Sequence, residues 1–236
     1  ASRLYGMNDL SEEASNVREV IRRQSFVNGF FSDHARRVEG QLVVQPQHQT
    51  EVCQYYAFYF GTATRTSHPQ LWERLVRDFG VTRNVALTWP GVAPANSFVG
   101  NYLRLELLSS AGLAGQAVRE SRDQFLKMAD RTGTLWENTE PATSACHGFA
   151  AHVAHMLLRD VAGFASVDHI GKSVTIRMTN TDATACKAVV PANDGLISLE
   201  WFRKGRTFRY SIKVPKGYKA GIECPAGFQC EENIKK

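Results

Sequence analysis

The chain has 236 residues, of which 43% are hydrophobic and 22% are charged, and its formal net charge is +5. This composition is typical of globular proteins and excludes a disordered chain. No apolar run reaches the roughly 18 residues that a membrane span needs, so we expect no transmembrane helix. Basic and acidic residues are interleaved, which argues against nucleic-acid binding. The N-terminal stretch ASRLYGMNDL has no signal-peptide pattern, and this leaves the compartment open.

Apolar residues recur with a helical period as far as about residue 165, and the pattern predicts six helical segments. The first is expected to begin at Ser11, with Glu12 and Glu13 in its first turn, which is a favourable N-terminal cap. The predicted segments span approximately residues 9–24, 50–63, 68–80, 95–111, 113–131 and 144–162.

The six segments alternate in character. The first, third and fifth are amphipathic, whereas the second, fourth and sixth are apolar on most sides. Because a helix that is apolar all round must be covered on all sides, the alternation favours a ring of helical hairpins with the apolar helices inside. The competing interpretation is an irregular helical bundle.

The last part of the chain changes to a period of two. The segments SVTIRM, LISLEWF and TFRYSIKV alternate apolar and polar residues, and RKGR and PKGY are typical turns between strands. We therefore expect a small antiparallel β-sandwich from about residue 166 to 230. The predicted fold is mainly α with a β tail, in two domains that cover residues 1–165 and 166–236.

The chain contains five cysteines and no CxxC motif, which argues against a zinc ribbon or a thioredoxin site. Cys224 and Cys230 flank the stretch PAGFQ and are candidates for a disulfide. Their spacing alone leaves the pairing open.

Candidate site residues collect before the three predicted inner helices. In a ring of hairpins the N-termini of these helices share one end, where helix dipoles and unsatisfied backbone N–H groups favour polar ligands. Aromatic side chains beside carboxylates and amides are typical of carbohydrate sites. The candidates are Glu51, Trp89, Asn96, Trp136, Glu137, Glu140 and His147.

One of these residues also has a simpler interpretation. Glu51 fits a first-turn acid that complements the helix dipole. Glu137 does not fit that interpretation, since it follows a tryptophan in a loop and precedes an apolar helix. We therefore regard Glu137 as the strongest candidate for chemistry.

Metal and thiol chemistry are both disfavoured. His152 and His155 share a helical face, but His147 lies away from it, so no metal site is predicted. Cys146 and His147 are adjacent, and adjacent residues in a helix do not face each other, which argues against a catalytic thiol. No cofactor is expected.

The motifs GTLWE and ACHGFAAHVAHMLLRDVAG resemble the last helical hairpin of the α-L-rhamnosidases of glycoside hydrolase family 78 and their six-hairpin relatives. The stretch QTEVCQYYAFYFG resembles an earlier inner helix of that group. The tail PANDGLISLEWFRKGRTFRYSIKVPKGYKAGIECP resembles its closing β-sandwich. The resemblance covers nearly the whole chain.

The resemblance implies an (α/α)6 barrel followed by a β-sandwich, and inverting hydrolysis of terminal α-L-rhamnosides or related sugars. In such a reaction one carboxylic acid protonates the leaving oxygen, and a carboxylate about 6.5–9.5 Å away activates water. The family's base maps onto Glu137 and its sugar-contacting histidine onto His147. The loop between these residues is shorter here than in typical rhamnosidases. A secreted or periplasmic location is favoured.

The sequence departs from the family in one major respect, because no acidic motif that would supply the general acid is present. Three hairpins are half of a six-hairpin ring, so we expect a C-terminal portion that supplies the back half of the barrel and the base. Its expected partners are a carbohydrate and either the missing N-terminal half or a second copy. The alternatives are a non-catalytic, carbohydrate-binding or structural chain of the same fold, and a polysaccharide lyase on a helical toroid.

Overall fold

The computed structural model describes residues 5–141 and 143–233. All six predicted helical segments are present in this part of the chain, within a few residues of their expected places. The sixth is irregular and consists of a 3-10 turn, a short α-helix and a π-helical turn. The segments are α1 (Asn8–Ser25), α2 (Glu51–Tyr59), α3 (Pro69–Asp78), α4 (Phe98–Ser110), α5 (Ala114–Thr132) and the sixth segment, made of Gly148–Ala151, α6 (His152–Met156) and Leu157–Ala162.

The predicted N-cap of α1 at Ser11 was wrong, although the predicted span of about 9–24 was close to the observed one. The helix begins at Asn8, one turn earlier than Ser11, and Met7 at its N-cap makes no side-chain cap. Gly6, at a φ of 67°, precedes this start, and left-handed backbone of that kind favours glycine. Ser11 instead lies within the helix, where its carbonyl accepts a hydrogen bond from the Ser15 hydroxyl at 2.9 Å.

Short strands occur among the helices and were not predicted. The strands β3 and β4 form an antiparallel hairpin whose turn residues, Glu39 and Gly40, both have positive φ. The other strands are only two residues long, which is too short to show a period in the sequence. The strands are β1 (Phe26–Val27), β2 (Phe30–Phe31), β3 (Ala35–Val38), β4 (Gln41–Val44), β5 (Gln49–Thr50) and β6 (Val92–Ala93).

The tail forms two sheets, with strand orders β13-β11-β10-β9 and β12-β8-β7. The prediction of purely antiparallel sheets was wrong, because β13 runs parallel to β11 and β12 runs parallel to β8. The strands are β7 (Phe164–Asp168), β8 (Ser173–Arg177), β9 (Ala185–Ala192), β10 (Gly195–Lys204), β11 (Thr207–Lys213), β12 (Lys219–Glu223) and β13 (Gln229–Glu232).

One hydrophobic core joins the two sheets. The apolar residues of the alternating segments, among them Ile176 of β8 and Leu199 of β10, are buried together in it. The Trp201 indole N–H donates to the carbonyl of Ala162 at 3.0 Å, so the only polar atom of this buried side chain is satisfied. The alternation read from the sequence therefore places the correct residues inside.

The chain divides into two compact units, each with its own core. Unit 1 comprises Ala1–Leu107 and Asn138–Thr143, and unit 2 comprises Leu108–Glu137 and Ser144–Lys236. This division does not coincide with the predicted domain boundary at residue 165, where the secondary structure changes from helix to strand. Unit 2 therefore contains helices as well as both sheets.

Cys224 and Cys230 form a disulfide, and Cys53, Cys146 and Cys186 are free thiols. Within the described part of the chain, no helix combines the length and the apolar character that crossing a membrane demands.

Candidate functional site

A loop of unit 2 that follows α5 carries the strongest candidate. Gly133 caps the end of the helix, because its left-handed φ of 72° suits glycine and its N–H donates to the Ala129 carbonyl at 2.7 Å. The Trp136 side chain is 1% exposed, and its indole N–H donates to the Thr132 hydroxyl at 2.7 Å. The Arg131 guanidinium lies 5.0 Å from the ring centroid. Trp136 is therefore a core anchor, and its contact with a sugar stays a prediction.

Backbone pairing closes the loop. The Glu137 N–H donates to the Ser144 carbonyl at 2.9 Å, and the His147 N–H donates to the Leu135 carbonyl at 2.8 Å. The Thr134 hydroxyl also donates to the carbonyl of Ala145. This pairing is the reason that the sixth helical segment begins at Gly148 rather than near residue 144.

Glu137 is half-buried and lies directly after the buried Trp136. Among the described residues its carboxylate has no hydrogen bond and no ion pair, so its oxygens remain available to a ligand or to water. His147 is also half-buried, and its ring centroid lies 5.7 Å from that of the exposed Phe149. Backbone pairing of one loop thus holds both predicted residues in unit 2.

Glu51, in unit 1, has a different environment. Its side chain is 1% exposed and pairs with Arg83 at 2.5 Å. Its other carboxylate oxygen accepts hydrogen bonds from the Tyr55 hydroxyl at 2.9 Å and from the Ala95 N–H at 3.2 Å. Both oxygens are thus occupied within the protein, which gives Glu51 a structural role, and its sugar contact stays a prediction.

Trp89 is half-buried and adopts a φ of 51°, which is strained for a bulky side chain. Its indole N–H donates to Asp78 at 2.9 Å, and the Arg74 guanidinium lies 4.3 Å from the ring centroid. The edge-on ring of Phe30 lies 5.2 Å away. Protein groups therefore occupy at least one face of the Trp89 ring, which was predicted to contact a sugar.

Asn96 and Glu140 are both exposed and both belong to unit 1. The Asn96 carbonyl accepts a hydrogen bond from the Thr139 N–H at 2.9 Å, and Ser97 forms a β-bridge with Asn138. The structure thus brings the residues before α4 together with the segment that follows Glu137.

Arg83 was missed by the sequence analysis. Its side chain is 1% exposed and contacts the carbonyls of Thr88, Trp89 and Val92 as well as Glu51. One signal was available, because Arg83 is the only charged residue between positions 79 and 103. A lone charge in an apolar stretch of that length is a candidate for a buried, paired group.

Burial is the main cause of the pKa shifts of Tyr55 and Cys53, which lie in the same helix as Glu51. It raises the pKa of Tyr55 well above its usual value, and it raises the pKa of the Cys53 thiol to about 12, with a smaller contribution from Asp33. Both side chains therefore stay neutral at physiological pH. In the described ranges, no three His, Cys, Asp or Glu residues are arranged to hold a metal ion.

No protein-family model and no curated protein matches the sequence. A solved structure does match, namely the crystal structure of a GH78 family rhamnosidase of Bacillus sp. GL1. The two chains are 18% identical, with a TM-score of 0.79, and the similarity covers 95% of this chain and 24% of that one. The chain thus spans about a quarter of the rhamnosidase's length. Its fold is that of a portion of a family 78 rhamnosidase.

Proposed function

We propose that this chain is the C-terminal portion of a rhamnosidase-like, inverting glycoside hydrolase and that Glu137 activates the attacking water. The observation that carries the proposal is the Glu137 carboxylate, which is half-buried, has no hydrogen bond or ion pair among the described residues, and lies in a loop held by backbone hydrogen bonds. The fold similarity supports the reaction class. A general base must be held in place and left free to accept a proton, and Glu137 meets both requirements.

In the proposed reaction, Glu137 accepts a proton from a water molecule that attacks the anomeric carbon. A carboxylic acid on the other side of the sugar protonates the leaving oxygen. We assign this acid to a part of the barrel outside this chain. His147, Asn96, Trp89 and Glu140 remain predicted sugar contacts.

The same proposal includes an incomplete (α/α)6 ring of three hairpins. On α2, which is a predicted inner helix, Tyr56 and Tyr59 are 41% and 44% exposed, and Phe60, directly after the helix, is 59% exposed. In the sixth segment, Leu157 and Leu158 are 44% and 40% exposed. Apolar side chains of this kind are normally covered when they form a contiguous patch. We therefore propose that the N-terminal half of the ring or a second copy covers the exposed apolar residues of each unit, and a stable monomer in light scattering at high concentration would contradict this.

The catalytic proposal is tested with Glu137→Gln in the complete protein, assayed with p-nitrophenyl α-L-rhamnopyranoside. General-base assistance is worth roughly 10²–10⁴-fold, so kcat should fall by that factor while the fold is retained. The matched control is Glu200→Gln, an exposed carboxylate of the same unit. Near-full turnover by Glu137→Gln would assign the base elsewhere, and NMR of the first-formed sugar anomer tests inversion.

A second candidate is a structural or sugar-binding chain without catalysis. The burial of Glu51 and Trp136 favours it, because these predicted contacts serve the core. Isothermal titration with L-rhamnose separates the two proposals: binding without hydrolysis by the complete protein would support this second function.

A further inference from the structure

Arg83 organises the segment between α3 and α4. Its Nε and Nη2 atoms donate to the Thr88 carbonyl at 3.0 and 2.8 Å. Nη2 also donates to the carbonyls of Trp89 at 2.6 Å and Val92 at 2.8 Å. Nη1 pairs with Glu51 at 2.5 Å. The loop therefore folds around one buried guanidinium, whose planar set of N–H donors suits several carbonyl groups at once.

The loop includes a strained residue. Trp89 has a φ of 51°, and its carbonyl also accepts the Val92 N–H at 2.9 Å. A bulky residue stays in left-handed backbone only where its surroundings hold it there, and such residues cluster at functional sites. Arg83 supplies part of that support through the Trp89 carbonyl.

From this loop, contacts continue to the segment after Glu137. Glu51 accepts the Ala95 N–H at 3.2 Å, and the carbonyl of the next residue, Asn96, accepts the Thr139 N–H at 2.9 Å. Ser97 also bridges to Asn138, the residue that follows Glu137 in the chain. The ion pair between Arg83 and Glu51 is thus connected to residues 138 and 139 by one continuous set of contacts within unit 1.

We propose that Arg83, through its ion pair with Glu51, is a positioning residue for the catalytic segment: it holds the loop that fixes residues 138 and 139 and thereby limits the motion of Glu137. The catalytic part of this inference rests on the proposed function. Small displacements of a catalytic group are costly, and a shift of about 1 Å reduces rates by up to about 10²-fold. We expect the loss of positioning to lower kcat more than it changes KM.

The test compares Arg83→Lys with Arg22→Lys in the complete protein. Lysine keeps the charge but loses the planar set of donors. Arg22 is the matched control, because it also holds a turn of unit 1 through carbonyl groups, those of Gly61 and Thr62. Amide hydrogen exchange at Ala95 and Thr139 and the kinetics of p-nitrophenyl α-L-rhamnopyranoside hydrolysis are measured where circular dichroism shows both variants folded.

We expect Arg83→Lys to accelerate exchange at both amides and to lower kcat by about ten- to a hundredfold, with a smaller change in KM. Arg22→Lys should do neither. If Arg83→Lys does not fold, Glu51→Gln replaces it with the same expected result, because the uncharged amide removes the ion pair and retains the side-chain shape.

Unchanged exchange at Thr139, or equal kcat losses in the two lysine variants, would overturn the positioning role. A wild-type protein without rhamnoside turnover would overturn the proposed function instead. In that case the exchange comparison still decides whether Arg83 holds the segment.

Discussion

Glu51 and Glu137 each lie close to a predicted inner helix, but their surroundings are opposite. Glu51, in unit 1, is 1% exposed, and Arg83, Tyr55 and Ala95 occupy its oxygens. Glu137, in unit 2, is half-buried, and its carboxylate has no internal partner among the described residues. A buried carboxylate whose oxygens are all paired belongs to the framework of the fold, since losing a partner leaves an uncompensated charge, whereas one that is held in place and unsaturated can accept a proton. An acidic residue near a helix N-terminus is thus not by itself a functional signal.

The largest effect on stability is expected at Glu51. Removing one partner of a buried ion pair leaves the other charge uncompensated, so Glu51→Ala should lower the free energy of unfolding by about 3–5 kcal/mol. Glu137→Ala should change it by less than about 0.5 kcal/mol, because its carboxylate has no hydrogen bond or ion pair to lose within the described part of the chain. Urea denaturation of both variants measures the difference. Equal losses would remove the distinction between the two carboxylates.

A smaller loss is expected where the loop of Glu137 is anchored. Trp136→Phe retains most of the buried aromatic surface but removes the indole hydrogen bond to Thr132. A hydrogen bond of this kind contributes about 1 kcal/mol, and the Thr132 hydroxyl keeps its contacts with the Met128 carbonyl and the Thr134 hydroxyl. We expect a loss of about 1–2 kcal/mol in the free energy of unfolding, measured by thermal and urea denaturation. No change would show that the indole N–H does not anchor the loop.

Alkaline pH sharpens the comparison at Tyr55, which donates to Glu51. Burial raises its pKa well above the usual value, so the unfolded chain releases this proton at lower pH than the folded protein does. The stabilisation is complete below about pH 10, the unfolded value, and falls above it by at most about 1.4 kcal/mol per pH unit. Denaturation between pH 8 and pH 11 measures this slope. Tyr55→Phe should flatten it, and an unchanged slope in that variant would contradict the assignment.

Each glutamate has a cysteine close to it in the sequence, and the two thiols differ in their accessibility to reagents. Cys53 follows Glu51 by two residues, and burial raises its thiol pKa to about 12, which suppresses the reactive thiolate. Cys146 belongs to the loop of Glu137 and is exposed. Iodoacetamide at pH 8 should therefore alkylate Cys146 and spare Cys53, as measured by peptide mass spectrometry. Preferential labelling of Cys53 would contradict the burial of its thiol.

Local pattern determined much of the fold. The apolar period located six helical segments, and the alternation in β8, β10 and β11 identified the buried faces of the strands. These features were predictable because side chains repeat every 3.6 residues in a helix and every second residue in a strand. The parallel pairings of β5, β12 and β13 and the irregular sixth segment depend on partners distant in sequence, and no local pattern encodes them. The hairpins β1–β2 and β3–β4 are local, and the Asn28-Gly29 turn of the first was a signal that the sequence offered.

The sequence by itself marked Glu137 as an acidic residue without a simple structural explanation, and it supplied the motifs that resemble family 78. Only the tertiary structure separated Glu137 from Glu51, moved Trp136 into the core and revealed Arg83 as the centre of a loop. The physical reason is that the role of a polar group depends on its burial and on its partners. Ala95, which contacts Glu51 across 44 residues, became its neighbour only on folding.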